Sequence, residues 1–233
     1  MSHNARHYCM AILPNTPDAN RERQATTKGA VLKDGRWTPG DQITVRFLDG
    51  ARVLQDRVMA AAREWLKAAN LSFDVRDAGP TDIRISFAAG PGSWSYIGTA
   101  CRDVPEPEPT MNFGWLTAQS TDGEVRQVVL HEFGHAIGFI HEHQNPDGGI
   151  KWNKGAVRHD LSGPPNNWGD ATIESNMFKF YDPDVVVGTP VDDDSIMLYP
   201  IPAAWTLNGF SADMNGELSE TDKRLARNVY RGG

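Results

Sequence analysis

Apolar and polar residues alternate along several short stretches in the first half of the chain, and each stretch predicts a β-strand. The five stretches, in chain order, are ITVRFL, LSFDVRD, DIRISF, SYIGT and TMNFGWL. Between the first two, apolar residues recur at helical spacing and predict a helix that ends near Asn70. Its buried face consists of Leu54, Val58, Ala61 and Trp65. A strand, a helix and further strands predict an α+β protein whose first lobe is of the α/β type.

A second helix is predicted from Thr121 to about Ile137. Thr121 and Glu124 have the spacing of a capping box, and Val125, Val128 and Val129 supply an anchoring face. From residue 145 to 191 the chain is rich in Gly, Pro, Asn and Asp, which predicts irregular structure with one short helix in ATIESNMFKFY. The stretch ELSETDKRLARNVY then predicts a closing helix.

The overall charge narrows the classes of partner. The 233 residues carry a formal net charge of -7 and no run of lysine and arginine, which argues against a nucleic-acid surface. No apolar run approaches the roughly 18 residues of a membrane span. We therefore expect no nucleic-acid or membrane partner, and we expect a monomer.

The stretch HEFGHAIGFIHEH has a spacing that suits a metal ion. His131 and His135 are four residues apart, so on a helix both rings project from one face. A helix often ends at a glycine such as Gly138, and a turn there would bring His141 back as a third ligand. Three protein ligands leave one position open for water, which is typical of a catalytic zinc. Glu132 stands beside the ligands, where a carboxylate can take the proton of that water.

A methionine turn, SIMLYP, follows downstream and contains Met197 and Tyr199. With the histidine pattern, this turn makes the chain resemble the metzincin metallopeptidases. Glu142 directly after the third histidine, and tyrosine two residues after the methionine, resemble the astacin branch. The resemblance extends from about Trp37 to Tyr230 through RWTPGDQITVRF, GSWSYIG, VVLHEFGHAIGFIHEH, DDDSIMLYP and LSETDK, in the expected order.

The resemblance implies a zinc-dependent endopeptidase that hydrolyses peptide bonds in proteins. Its fold is then a metzincin-like zincin, with a twisted, mostly parallel sheet, an active-site helix and an irregular lower lobe closed by a C-terminal helix. The implied limits are an N-terminal extension over 1–35 and a catalytic domain over 36–233. Within that domain, the upper lobe runs over about 36–140 and the lower lobe over about 141–233.

The resemblance also assigns roles. One Zn²⁺ is held by His131, His135 and His141, with Glu132 as general base and Tyr199 stabilising the oxyanion. Met197 forms an apolar floor under the ligands, and Glu142 pairs with the matured N-terminus or with polar groups nearby. The strand before the active-site helix is expected to be an edge strand that pairs with substrate, with an ordinary sheet strand as the alternative. That strand comprises Met111, Asn112, Phe113, Gly114 and Trp115.

Two cysteines, Cys9 and Cys101, leave several interpretations open. They form a disulfide or remain inert thiols, whereas the family usually has four cysteines in two disulfides. Alternatively, Cys9 is a thiolate ligand of the zinc that keeps the enzyme latent. The family's pro-segment carries an FxGD motif whose aspartate blocks the zinc, and no such motif lies between Met1 and Trp37.

The compartment and a second cation also remain open. The first thirty residues lack the features of a secretory signal, so a leader was removed, the protein leaves the cell by a non-classical route, or it stays inside. The family resemblance favours the extracellular side. Ca²⁺ is conceivable at the acidic residues Asp182, Asp184 and Asp192 to Asp194, but their spacing forms no known loop, which favours solvated turns.

Two other functions share these residues. A zinc-binding protein without catalysis would use the cleft to capture a peptide or protein, although Glu132 would then have no structural purpose. A protease toxin or effector would use the same chemistry on one protein target.

Overall fold

The computed structural model describes residues 8–12, 31–33, 35–145, 149–181, 186–187 and 191–232. The strands are β1 (Met10–Ile12), β2 (Val31–Leu32), β3 (Gln42–Phe47), β4 (Ser72–Val75), β5 (Ile83–Ser86), β6 (Ser93–Tyr96), β7 (Met111–Phe113) and β8 (Val186–Val187). The helices are α1 (Arg52–Ala62), α2 (Asp122–Ala136), α3 (Lys154–Ser162), α4 (Asp170–Ile173) and α5 (Glu220–Val229). A π-helical turn, Glu174–Phe178, continues α4.

Six strands form one sheet in the order β1-β6-β7-β5-β3-β4. Neighbouring strands are parallel except for β6 and β7, which are antiparallel. The mostly parallel sheet agrees with the prediction. The remaining two strands, β2 and β8, form a separate antiparallel pair.

The prediction that the strand beginning at Met111 is the sheet edge is wrong. β7 lies between β5 and β6, where Met111 is paired with Ile85 on one side and with Ser95 on the other. An interior strand has both rows of backbone groups engaged, so it cannot add a peptide. The strand expected in SYIGT is shifted as well, because β6 ends at Tyr96 and a 3₁₀ segment, Gly98–Asp103, follows.

An unpredicted strand covers the outer side of β6. β1 pairs parallel to β6 with Met10 opposite Trp94 and Ile12 opposite Tyr96. The backbone amide of Ile97 also donates to the carbonyl of Ile12 at 3.2 Å. The N-terminal stretch 8–12 therefore occupies the sheet edge nearest to the strand that precedes α2.

The upper core lies between the sheet and helices α1 and α2. The predicted apolar stripe is buried as expected, but α1 ends at Ala62 and not near Asn70, and Trp65 lies in the 3₁₀ turn Trp65–Lys67 that follows. The Trp65 indole donates to the Leu130 carbonyl of α2 at 2.9 Å. Leu225 and Ala226 of α5 belong to the same core, so the closing helix packs on the upper lobe.

A second core contains α3, α4 and the chain after the methionine turn. Tyr8 and Cys9 are part of it, although they belong to the N-terminal stretch. Two cores fit the expected two lobes, while the domain limits at residues 35 and 140 remain predictions. Within the described segments, no helix combines the length and apolar character needed to cross a membrane.

Candidate metal centre

Helix α2 positions the first two histidines. Its start is fixed by the predicted capping box, in which Thr121 accepts from the Glu124 amide and the Glu124 carboxylate accepts from the Thr121 amide. The helix ends at Ala136, and two residues later Gly138 has a φ of 98°, in the left-handed region that favours glycine. The Gly138 amide donates to the His135 carbonyl at 2.8 Å, and the chain then turns back. This turn places His141 against the helix, as the sequence predicts.

The three histidines converge on one point. The Nε2 atoms of His135 and His141 are 3.1 Å apart, and the Cys9 sulfur lies 2.9 Å from Nε2 of His131 and 3.3 Å from Nε2 of His141. The four possible ligand atoms all lie within 4.8 Å of one another. Three nitrogens and one sulfur in this arrangement are a donor set typical of zinc.

Each ring is oriented by a hydrogen bond from its other nitrogen. Nδ1 of His131 donates to the Ile196 carbonyl at 2.7 Å, Nδ1 of His135 to the Phe139 carbonyl at 2.8 Å, and Nδ1 of His141 to the Gln144 side chain at 3.2 Å. A proton on Nδ1 leaves the Nε2 lone pair facing the centre, as a metal ligand requires.

Burial keeps these imidazoles neutral. It lowers the pKa of His131 to about 4, against a smaller opposing effect of the hydrogen bond to Ile196. It also holds the pKa values of His135 and His141 well below the usual range, and the neighbouring histidines lower them further. The neutral form is the one that binds a metal.

Glu132 is fully buried, and neither of its carboxylate oxygens has a hydrogen-bond partner of ordinary geometry among the described residues. Burial raises its pKa well above the usual range, and the neighbouring Cys9 thiol lowers it slightly. A buried carboxyl without a partner is costly unless another group, such as a cation and its water, comes to the site. The residues therefore fit a hydrated metal ion.

The methionine turn packs against α2 between the two helical histidines. Gly134, between the two helical histidines, packs against the sulfur of Met197, so a side chain at Gly134 would collide with it. Met197 is buried, and its role as an apolar floor under the ligands stays a prediction. The turn itself is held by Asp222 of α5, which accepts from the Ser195 hydroxyl at 2.8 Å and from the Ile196 amide at 2.9 Å.

Tyr199 lies beside the histidines. Its ring centroid is 4.2 Å from that of His141, and the ring is nearly parallel to that of His131. Its hydroxyl donates to the Cys9 carbonyl. Burial raises the pKa of Tyr199, and Cys9 adds to the effect, so the phenol is protonated and available as a donor.

Glu142 does not point into the histidine cluster. Its carboxylate accepts from the Asp192 amide at 3.2 Å. Burial raises the pKa of Glu142 to about 8, against the hydrogen bond from Asp192, while the negative charges of Asp222 and Asp192 raise it further.

Of the open interpretations of the two cysteines, the disulfide is wrong, because Cys9 and Cys101 are both free thiols. Cys101 is buried in the upper core, and burial raises its pKa to about 12. Cys9 instead lies in the metal centre, where burial, followed by the charge of Glu132, raises its pKa. This position is that of a possible metal ligand, and the role of Cys9 as a zinc ligand stays a prediction.

An apolar cleft of about 400 Å³, which includes its open mouth, leads to His131 and Glu132. Of the five residues expected at a substrate edge, only Trp115 lines it. The other lining side chains include Val128, Ile196, Leu198 and Met214.

The supposed calcium residues Asp182 and Asp184 lie outside the described residues. In the described part of the chain, the cluster of Cys9 with the three histidines is the only group of three or more His, Cys, Asp or Glu residues placed to hold a metal.

Sequence reasoning missed three residues of the site. Asp222 belongs to the stretch that predicts the closing helix, and the carboxylate that caps this helix also holds the methionine turn. Gln144 orients His141 from three residues away and is a recognisable local signal. Tyr8 packs beside Tyr199, and no local pattern predicts that contact.

Comparisons with known proteins agree with this geometry. The sequence model of the astacin peptidase family matches residues 30–224. Astacin-like metalloprotease toxin 5 from Loxosceles gaucho is 25% identical over 174 residues, which cover 73% of this chain and 80% of that protein. Astacin-like metalloprotease toxin 1 from Loxosceles intermedia is 26% identical over 174 residues, covering 75% of this chain and 58% of that protein. A solved structure of myroilysin has a TM-score of 0.85 and 40% identity, covering 88% of this chain and 100% of that one.

Proposed function

Because the chain belongs to the astacin family and is therefore a zinc metalloendopeptidase that acts on peptides or proteins, we propose that Glu132 is its general base and that Cys9 keeps it latent. His131, His135 and His141 would hold the zinc. When bound, zinc supplies Lewis-acid chemistry that makes water nucleophilic near neutral pH and polarises the scissile carbonyl.

Two side chains of the protein then transfer the proton and stabilise the developing negative charge. Glu132 accepts a proton from the attacking water on its carboxylate and delivers it to the leaving amine. Tyr199, whose hydroxyl is protonated, donates a hydrogen bond to the oxygen that becomes negative on the substrate. The observation that carries the role of Glu132 is its buried carboxyl beside the ligands, which has no hydrogen-bond partner of ordinary geometry in the described part of the chain.

The test compares wild type with Glu132→Ala for zinc content and for cleavage of a quenched peptide library. We expect Glu132→Ala to retain one zinc and to lose nearly all chelator-sensitive cleavage. A variant that cleaves at the wild-type rate would remove Glu132 as the general base.

The latency proposal rests on the position of the Cys9 sulfur, 2.9 Å from one ligand nitrogen and 3.3 Å from another. A thiolate is a ligand that zinc prefers, so Cys9 would take the coordination position that the attacking water needs. β1 and Tyr8 hold the thiol there by pairing with β6 and by packing in the lower core.

We expect Cys9→Ala to cleave peptides faster than wild type without any trimming of the chain. Cys101→Ala is the matched control, because it removes a buried thiol remote from the metal centre and leaves latency intact. An unchanged or lower rate in Cys9→Ala would reject the proposal.

The proposed function also concerns where the enzyme acts and on what. We infer that the enzyme acts outside the cell, which the toxin names of two relatives support. We also infer that the latent enzyme is a monomer. Those names also favour a protease restricted to one protein target as the second candidate. Digestion of casein and gelatin beside a panel of single proteins distinguishes the two, since a toxin of this kind would leave casein and gelatin intact.

A further inference from the structure

Tyr8 occupies an aromatic seat next to the metal centre. Its ring stacks on Trp205 with centroids 5.1 Å apart and meets the edges of Tyr199 at 5.3 Å and Trp168 at 6.5 Å. The Tyr8 hydroxyl donates to the Pro200 carbonyl at 3.0 Å. The ring is thus surrounded on several sides, and its one polar atom has an acceptor.

The backbone of Tyr8 is also held. Its amide donates to the side-chain oxygen of Asn166 at 3.0 Å. The next residue, Cys9, places its sulfur among the histidines, and the three residues after it pair with β6. The stretch 8–12 therefore crosses the metal centre as an extended peptide whose side chain at residue 8 fills the aromatic seat.

We propose that this seat is a substrate subsite that takes an aromatic side chain, tyrosine above all, within two residues of the scissile bond. The inference rests on the proposed function and adds one step to it, in which the stretch containing Tyr8 leaves the site before substrate enters. Its departure would expose three aromatic rings and the Pro200 carbonyl to water. A substrate tyrosine restores the ring contacts and the hydrogen bond, whereas phenylalanine restores only the ring contacts.

The experiment uses two full-length, zinc-loaded variants that differ only at the seat. Cys9→Ala removes the thiol and keeps Tyr8 in place, whereas Tyr8→Ala with Cys9→Ala also empties the seat. Both digest the same peptide mixture, and the cleavage sites are read by mass spectrometry. We expect aromatic residues to be enriched at one position within two residues of the cut in the double variant, and less so in Cys9→Ala.

Matched substrates then give the size of the effect. We expect kcat/KM of the double variant to be roughly tenfold higher for a peptide with tyrosine at that position than for the same peptide with alanine. Adding Trp168→Leu should bring the ratio of kcat/KM between the two peptides close to one. Thermal unfolding of the triple variant checks that it folds. Phe180→Ala, a change at an exposed aromatic residue of the same lobe, should leave the ratio unchanged.

Failure of this inference is separable from failure of the proposed function. Zinc-dependent cleavage without any aromatic enrichment in the double variant would overturn the subsite and leave the peptidase intact. If neither variant cleaves any peptide, the proposed mechanism fails, and calorimetric binding of the two matched peptides to the double variant still decides the subsite. Equal affinity for the tyrosine and alanine peptides would overturn it, and tighter binding of the tyrosine peptide would support it.

Discussion

Asp222 of α5 links the closing helix to the metal centre, and its removal offers a sharp test of how the site is held. Oδ1 accepts from the Ser195 hydroxyl, while Oδ2 accepts from the amides of Ile196 and Ser219. The carbonyl of Ile196 in turn accepts from Nδ1 of His131. Asp222 therefore positions a metal ligand through one peptide unit, without touching the metal.

The two informative substitutions differ in which partners they leave. Asp222→Ala leaves the buried Ser195 hydroxyl and the buried Ile196 amide without an acceptor, while water can reach the amide of the half-buried Ser219. Each buried donor left unsatisfied costs about 1–3 kcal/mol, so Asp222→Ala should lower the free energy of unfolding by about 2–6 kcal/mol. Asp222→Asn keeps an oxygen for the two amides, and the Ser195 hydroxyl can rotate to accept, so the loss should be about 1–2 kcal/mol.

The assay is urea unfolding of the zinc-free protein, so that zinc binding does not mask the change. Competition with a chromophoric chelator then measures zinc affinity, which we expect to fall about tenfold in Asp222→Ala and less in Asp222→Asn. Asp213→Ala, at an exposed aspartate, serves as the control. Equal losses of stability in the two Asp222 variants, or an unchanged zinc affinity in Asp222→Ala, would refute the reasoning.

Three other outcomes are expected. Tyr199→Phe should lower kcat about a hundredfold with little change in KM, because it removes an oxyanion donor, and steady-state kinetics in which KM alone changes would contradict that role. Glu142 has a folded pKa raised to about 8, chiefly by burial, so its stabilising effect is full below about pH 4.5 and is lost as the pH rises through 8. We therefore expect the free energy of unfolding of zinc-free Glu142→Gln, measured with urea at several pH values, to fall less between about pH 4.5 and 8 than that of wild type. Equal falls in the two proteins would contradict the assignment. Gly134→Ala should cost about 1–3 kcal/mol, because the added methyl meets Met197, whereas Gly123→Ala in the first turn of the same helix meets nothing and should be near neutral in thermal unfolding.

The metal centre was largely predictable because its signals are local. A capping box, a four-residue spacing and a glycine at the helix end together define α2 and the return of the chain to His141. The same patterns identified α1 and α5. These features depend on residues close in sequence, so a pattern can express them.

The parts that sequence reasoning missed depend on contacts between distant residues. β1 has only three residues and forms by pairing with β6, more than eighty positions away. The order of β6 and β7 also follows from such pairing, which is why the edge strand was misassigned. In α3, only Val157 and Leu161 are buried, so its apolar stripe is too short to be distinguished from a loop.

The position of β1 has a consequence for the behaviour of the enzyme in solution. β6 has the sequence SWSY, with no charged residue and no proline to discourage pairing with another chain. While β1 is in place, this row of backbone groups is satisfied. Once β1 leaves, β6 becomes an unprotected edge open to a second copy as well as to substrate. The latent enzyme should therefore stay a monomer, whereas self-association of the activated form should rise with enzyme concentration and fall when a peptide is bound.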